Sequence, residues 1–247
     1  MCERCQRDQG VISRRTLGLF AMSSAGLLLT GQAGAKDNKK DNEKKSLPKP
    51  ENVLSPDAAL KRLLDGNERY VEGEMRRHDF RREREVLAGG QNPYAAVLSC
   101  ADSRIAPEYA FDSSRGDLFV CRVAGNFASD ETIASLEYAV AVLNTPLILV
   151  LGHDACGAVD ATIKSIKDDK PLPGHMPSLV EAIAPSVKAV LSQSGDTLNN
   201  AIRQNVIDNV AKLRSAAPIL GAAVDEKKLK LVGGIYRLRN GRVEMVV

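Results

Sequence analysis

The segment SCADSRIAPE, residues 99–108, sets Cys100, Asp102 and Arg104 two residues apart, directly behind a short apolar run. A second segment, GHDACGA, sets His153 and Cys156 three residues apart behind another apolar run. Two thiolates and one imidazole suit zinc. Three protein ligands leave the fourth tetrahedral position open, which is the arrangement of a catalytic rather than a structural zinc site. Taken singly, each of these residues reads equally well as a small side chain buried at a strand end. Asp102 and Arg104 alone would be an ordinary ion pair in a turn. The argument for chemistry is their conjunction, and it holds only if the fold brings the two segments together.

The surrounding pattern supplies such a fold. YAAVLSC (94–100), GDLFVCRVAGN (116–126) and TPLILVLGH (145–153) are short, largely apolar runs, as strands covered on both faces should be. Between and after them lie helical patterns: a helix opening at Ser55 as N-cap with Pro56 in its first turn, a charged stretch at 76–90, DETIASLEYAVAVLN (130–144), a helix over 155–168, and two more over 179–192 and 196–216. The chain ends in an alternating segment around Asn240-Gly241, a hairpin signal. Strands alternating with helices predict an α/β fold. It has a mostly parallel central sheet, an antiparallel edge strand and flanking helices. In such a sheet the carboxyl ends of the strands face one crevice. Cys100, His153 and Cys156 meet there if their strands are neighbours, which puts zinc at the carboxyl ends of the strands.

CADSR, HDAC, GDLFVCRVAGN and LEYAVAVL together resemble the β-class carbonic anhydrases, over about residues 54–247. The resemblance implies that Cys100, His153 and Cys156 hold one Zn2+ per subunit, that Asp102 and Arg104 form a dyad, and that the reaction is the reversible hydration of carbon dioxide to bicarbonate and a proton. Zinc acidifies its water so that hydroxide exists near neutral pH. Asp102 then accepts the hydroxide's hydrogen bond and turns a lone pair toward carbon dioxide, while Arg104 clamps Asp102 with both arms. The resemblance also implies substrate-facing roles for Gln91, Gly157, Phe119 and Tyr138, with Ala124 beside them, and a homodimer or homotetramer. Some members bind a second bicarbonate where a Trp precedes the first Cys by three; Val97 stands there, so the open metal site with water as fourth ligand is expected. Cys121 reads as packing; His78 is given no role, and His175, in the proline-rich loop, reads as a surface residue and the candidate proton shuttle.

The ends and the composition set the context. SRRTLGLF, an apolar stretch to Leu29 and AGA at 33–35 have the order of a Tat-like signal peptide over 1–35. Cys2 and Cys5 belong to that leader. Residues 36–53, charged and proline-ended, read as a flexible linker before a catalytic domain at 54–247. The expected location is therefore periplasmic or otherwise exported, with no stable membrane span after signal cleavage. A net charge of +3 spread over 247 residues, without Trp and with 4% aromatic residues, argues against a nucleic-acid partner. Two other readings share these residues: a carbon disulfide or carbonyl sulfide hydrolase on the same scaffold, and a non-catalytic zinc or thiol protein. An aimed Asp102 weighs against the second, since structural zinc has no use for it.

Overall fold

A computed structural model describes residues 53–247; the leader at 1–35, with Cys2 and Cys5, and the linker up to residue 52 lie outside the described residues. The element order is α1 (Pro56–Glu72), α2 (Phe80–Leu87), β1 (Ala95–Ser99), α3 (Pro107–Ala110), β2 (Leu118–Arg122), α4 (Asp130–Ala141), β3 (Leu147–His153), α5 (Gly157–Lys167), α6 (Pro177–Val190), α7 (Thr197–Arg214), α8 (Ile219–Asp225), β4 (Lys230–Tyr236) and β5 (Val243–Met245). The expected α/β architecture is the one observed. The short helices α3 and α8 were not anticipated, and α5, α6 and α7 begin or end one or two residues from their expected bounds.

The five strands form one sheet in the order β2-β1-β3-β4-β5. The first four run parallel and β5 is antiparallel to β4. The chain goes from β1 outward to β2, then returns across β1 to β3 and continues the other way. The order therefore reverses between β1 and β3, and a crevice opens at the carboxyl ends of those two strands. Cys100 follows β1 and His153 ends β3, so both stand at that reversal.

Period-two alternation divides the sheet between two cores. Ala96 and Leu98 of β1 and Ile148 and Val150 of β3 face a core built with α4 to α8. Ala95 and Val97, with Leu147, Leu149 and Leu151, face a core built with α1 and α3. Both faces are covered, which is why β1 and β3 are apolar throughout. Capping sets the helices that flank them. Ser55 accepts from the Ala58 amide at 3.3 Å, and Gly73 closes α1 at φ +75°. Ser129 and Asp196 cap α4 and α7 in the same way.

The Asn240-Gly241 pair does lie in the β4–β5 hairpin, but not as a two-residue turn. Tyr236 pairs with Val243, and the Arg237 and Gly241 amides close a longer loop onto the Arg242 and Arg237 carbonyls, each at 2.8 Å. Gly241 takes φ +74° there. Asn67 of α1 stitches this loop to the rest, donating to the carbonyls of Ala110 and Gly241 at 2.9 and 2.8 Å and accepting from the Val243 amide at 2.8 Å.

Helix α1 lies so close to the end of α3 that a Cβ on Gly66 would sit 2.0 Å from the Phe111 carbonyl oxygen. In an open helix, Gly→Ala gains about 1 kcal/mol. Here Gly66→Ala is expected to destabilise by about 3 kcal/mol or more, because backbone must move to admit the methyl. A lower urea midpoint at unchanged slope is the expected measurement; an unchanged midpoint would mean α1 is not pinned at this point.

Candidate metal centre

Cys100 is the first residue after β1 and is 3% exposed. The loop that it opens is held from two sides. Arg122, at the end of β2, donates through Nε to the Cys100 carbonyl at 2.9 Å and through Nη2 to the Asp102 carbonyl at 2.6 Å. Arg104 Nη2 reaches across to the Ala155 carbonyl at 3.3 Å, joining this loop to the one after β3. Within the loop, Arg104 grips Asp102 as a fork: Nε to Oδ1 at 2.9 Å and Nη2 to Oδ2 at 2.7 Å, with the Arg104 amide also donating to Oδ1 at 2.9 Å. Those hydrogen bonds from Arg104 hold the Asp102 carboxyl well below the usual carboxylate range.

His153, fully buried, ends β3. Its Nδ1–H donates to the Asp154 carbonyl at 2.8 Å, which leaves the Nε2 lone pair turned inward. That Nε2 is buried and has no hydrogen-bond partner. The chain then turns through Ala155, a non-glycine residue at φ +50°, and delivers Cys156 as the N-cap of α5. A left-handed alanine is strained, and such strain persists where the surroundings dictate it.

The ligand atoms of Cys100, His153 and Cys156 lie within 4.8 Å of one another, and all three residues are buried. Two zinc–sulfur bonds at a tetrahedral angle put their sulfurs about 3.8 Å apart, so closing on an ion needs only a small contraction. The orphaned Nε2 and the soft donor set fit the metal. The hydrogen bond from Cys156 holds Cys100 down toward its thiolate, and that same bond, then burial, pushes the Cys156 thiol up. Burial pulls the His153 imidazole down, but the negative charge at Cys100, the Asp154 carbonyl and Asp102 outweigh this and raise it. Asp102 Oδ2 stands 3.9 Å from His153 Nε2, so the clamped carboxylate faces the same space.

The other expected site residues are dispersed within one chain. Gly157 begins α5 beside Cys156, with nothing within 4 Å of where a Cβ would stand, so it sits at the open rim. Gln91 is exposed and precedes β1, at the amino end of the strand. At about 3.3 Å per residue, β1 alone separates it from Cys100 by about 17 Å. Phe119 lies opposite Ala96, well short of the carboxyl end, and its ring centroid is 6.4 Å from that of the half-exposed Tyr138. Ala124 is half-buried. Val97 is fully buried in the sheet. Cys121 is half-buried rather than enclosed, because β2 is the sheet's edge, and burial raises its thiol. His175 is exposed, whereas His78 is bonded to Ser114 Oγ at 3.1 Å and stands near Glu83 and Asp112. Sequence reasoning did not assign the bracing role of Arg122. Nor did it find Gly125, whose amide donates to the Cys100 sulfur at 3.3 Å.

A family model described as carbonic anhydrase matches residues 95–243, which spans both loops of this centre. Carbonic anhydrase 2 of Mycobacterium tuberculosis is 40% identical over 189 residues, covering 76% of this chain and 91% of that one. The chain belongs to the β-carbonic anhydrase family. The carbonic anhydrase of Mycolicibacterium smegmatis is 38% identical over 192 residues, covering 77% of this chain and 93% of its own. Among solved structures, the Coccomyxa β-carbonic anhydrase in complex with acetazolamide aligns at a TM-score of 0.59 and 25% identity, over 76% of this chain and 86% of that one. The β-carbonic anhydrase CcaA aligns at 0.57 and 28% identity, over 75% and 94%. This β-carbonic anhydrase is therefore an enzyme, a carbonate dehydratase. Its Cys-His-Cys cluster is able to bind the metal of a family of zinc enzymes.

Proposed function

We propose that the protein hydrates carbon dioxide reversibly to bicarbonate and a proton, with one Zn2+ per subunit held by Cys100, His153 and Cys156. The observation that carries this reading is the buried Nε2 without a partner, facing two thiols and a carboxylate clamped by a guanidinium. Zinc held there by these three residues would supply the Lewis acidity that makes water a nucleophile near neutral pH.

The chain's residues do the rest. His153 is fixed in one tautomer by the Asp154 carbonyl, so its Nε2 is the ligand atom. Asp102 accepts the hydrogen bond of the attacking water, and because both of its oxygens are engaged by Arg104 it stays aimed. With zinc bound, keeping this pairing would be the open state, in which the carboxylate's partner is Arg104 rather than the metal. The amide of Gly157 at the start of α5 is suited to a bicarbonate oxygen. Gln91, Phe119 and Tyr138 serve the substrate only across a subunit boundary, in a homodimer or homotetramer, since within one chain they lie away from the pocket. The order of residues 1–35 supports export by a Tat-like route, with metal loaded before export. Among the described residues no helix is long and apolar enough to cross a membrane.

Stopped-flow hydration of carbon dioxide by the zinc-loaded protein is the test, and fast turnover is expected. A full zinc complement without hydration between pH 6.5 and 9 would overturn the proposal, and carbonyl sulfide and carbon disulfide would then be the substrates to try.

A further inference from the structure

The amide of Gly125 that donates to the Cys100 sulfur is itself held in place by a buried polar relay from α7. Asn205 Nδ2 donates to the Gly125 carbonyl at 2.8 Å. One turn on, Asn209 Nδ2 donates to the Asn205 carbonyl at 2.7 Å and to its Oδ1 at 3.1 Å, while Asn209 Oδ1 accepts from the Ala128 amide at 2.7 Å. Both asparagines are almost fully buried, at 1% and 6% exposure, on the apolar stripe that includes Ile202, Val206 and Val210. A buried amide that is not paired costs heavily, so each bond of the relay is strongly enforced.

The segment has little other freedom. Gly125 takes φ +86°, and a Cβ there would lie 2.4 Å from Ile183 Cδ1 of α6 and 3.4 Å from Ala158 Cβ of α5. Packing from two helices fixes where the glycine sits, and Asn205 of the third holds the carbonyl of the peptide that follows it, so the Gly125 Cα is anchored on the side opposite the N–H that meets the sulfur. A peptide turned so that its N–H meets the sulfur withdraws electron density from it. Hydrogen bonds of this kind tune a metal through its ligand.

We propose that Asn205 and Asn209 are positioning residues for the metal centre, holding the 125–128 segment so that the Gly125 N–H donates to the Cys100 sulfur. This rests on the reading of Cys100, His153 and Cys156 as ligands. Neither asparagine touches metal or substrate; both act through a glycine that does not itself ligate.

The test uses the full chain loaded with cobalt(II). Asn205→Ala and the equal-sized Asn205→Asp are compared with Asn67→Asp, which disturbs a similar buried asparagine beside the β4–β5 hairpin, away from the centre. In the Asn205 variants the thiolate-to-cobalt absorption is expected to move to longer wavelength, and zinc affinity, measured by chelator competition, to fall about tenfold or more. In Asn67→Asp only the melting temperature should fall. Asn205 variants that melt early but keep the wild-type cobalt spectrum and zinc affinity would overturn the proposal. A wild-type protein without a thiolate-to-cobalt band would instead overturn the ligand reading, and this inference with it. If neither Asn205 variant folds, the cadmium-113 form of the wild type decides the matter. Scalar coupling between the metal and the Gly125 amide proton supports the N–H···S bond, and its absence removes it.

Discussion

Replacing Asp102 with alanine is expected to lower kcat/KM for carbon dioxide hydration by about a hundredfold or more, with zinc content unchanged. Misaiming a reacting group by an ångström costs about that much, and Asp102 is the carboxylate that stands 3.9 Å from His153 Nε2, where it can accept the hydrogen bond of the attacking water. The loss should fall mainly on kcat, because the carboxylate orients the nucleophile and does not hold the substrate. Stability should barely change, since Arg104 is half exposed and an exposed pair contributes little. Stopped-flow rates, metal analysis and a melting curve on the same preparation separate these effects. A variant that retains its zinc and its rate would dissociate the dyad from the chemistry.

Arg104 sharpens that expectation. An ordinary Asp carboxyl titrates at about 3.9, and Arg104's hydrogen bonds only lower it further, so Asp102 is ionised at pH 7 with or without them. Arg104→Leu therefore removes aim and not charge. Its rate should fall with Asp102→Ala and should not recover as pH rises. Arg104→Lys keeps the charge but loses the fork, and it should fall between Arg104→Leu and the wild type.

How much of this centre could be foreseen depended on how local each feature is. Cys100, Asp102 and Arg104 lie within one turn, and His153 and Cys156 within another, so their spacing alone proposed their partnership. The meeting of the two turns followed from strands that are apolar on both faces, because such strands belong inside a parallel sheet. The short helices α3 and α8 left no periodic trace, being too brief to repeat a pattern. The bracing by Arg122 depends on β2 lying beside β1, a tertiary fact. Asn205 and Asn209 did leave a signal, two amides at positions where the period of α7 asks for apolar side chains. A buried polar residue on an apolar stripe needs a partner, but the sequence did not name Gly125 as that partner. Gln91 illustrates another limit: its substrate-facing role came from the resemblance, and within one chain the length of β1 stands between it and Cys100.

Cys156→Ser is expected to abolish stoichiometric zinc binding and bring hydration down to the uncatalysed rate. Losing an outer partner of a ligand costs about 10–100-fold in affinity, and losing a ligand should cost more. Serine offers no thiolate, and the residue is 1% exposed, so water cannot easily replace it. The wild type gives the reference. An ion present at a thousand times its dissociation constant adds about 4 kcal/mol of apparent stability, which for a domain of this size is a rise of roughly 8–16 °C in melting temperature. A chelator should remove that rise from the wild type and leave Cys156→Ser unmoved. The metal-free wild type should still fold, because the two cores on either face of the sheet hold β1 and β3 without the ion. Zinc takes thiolates and a neutral imidazole, so apparent affinity should fall as pH falls. Metal content by elemental analysis, with melting curves in and out of chelator at two pH values, measures all of this. A Cys156→Ser protein that kept one zinc per chain and its chelator-sensitive melting would mean that the ion is held elsewhere.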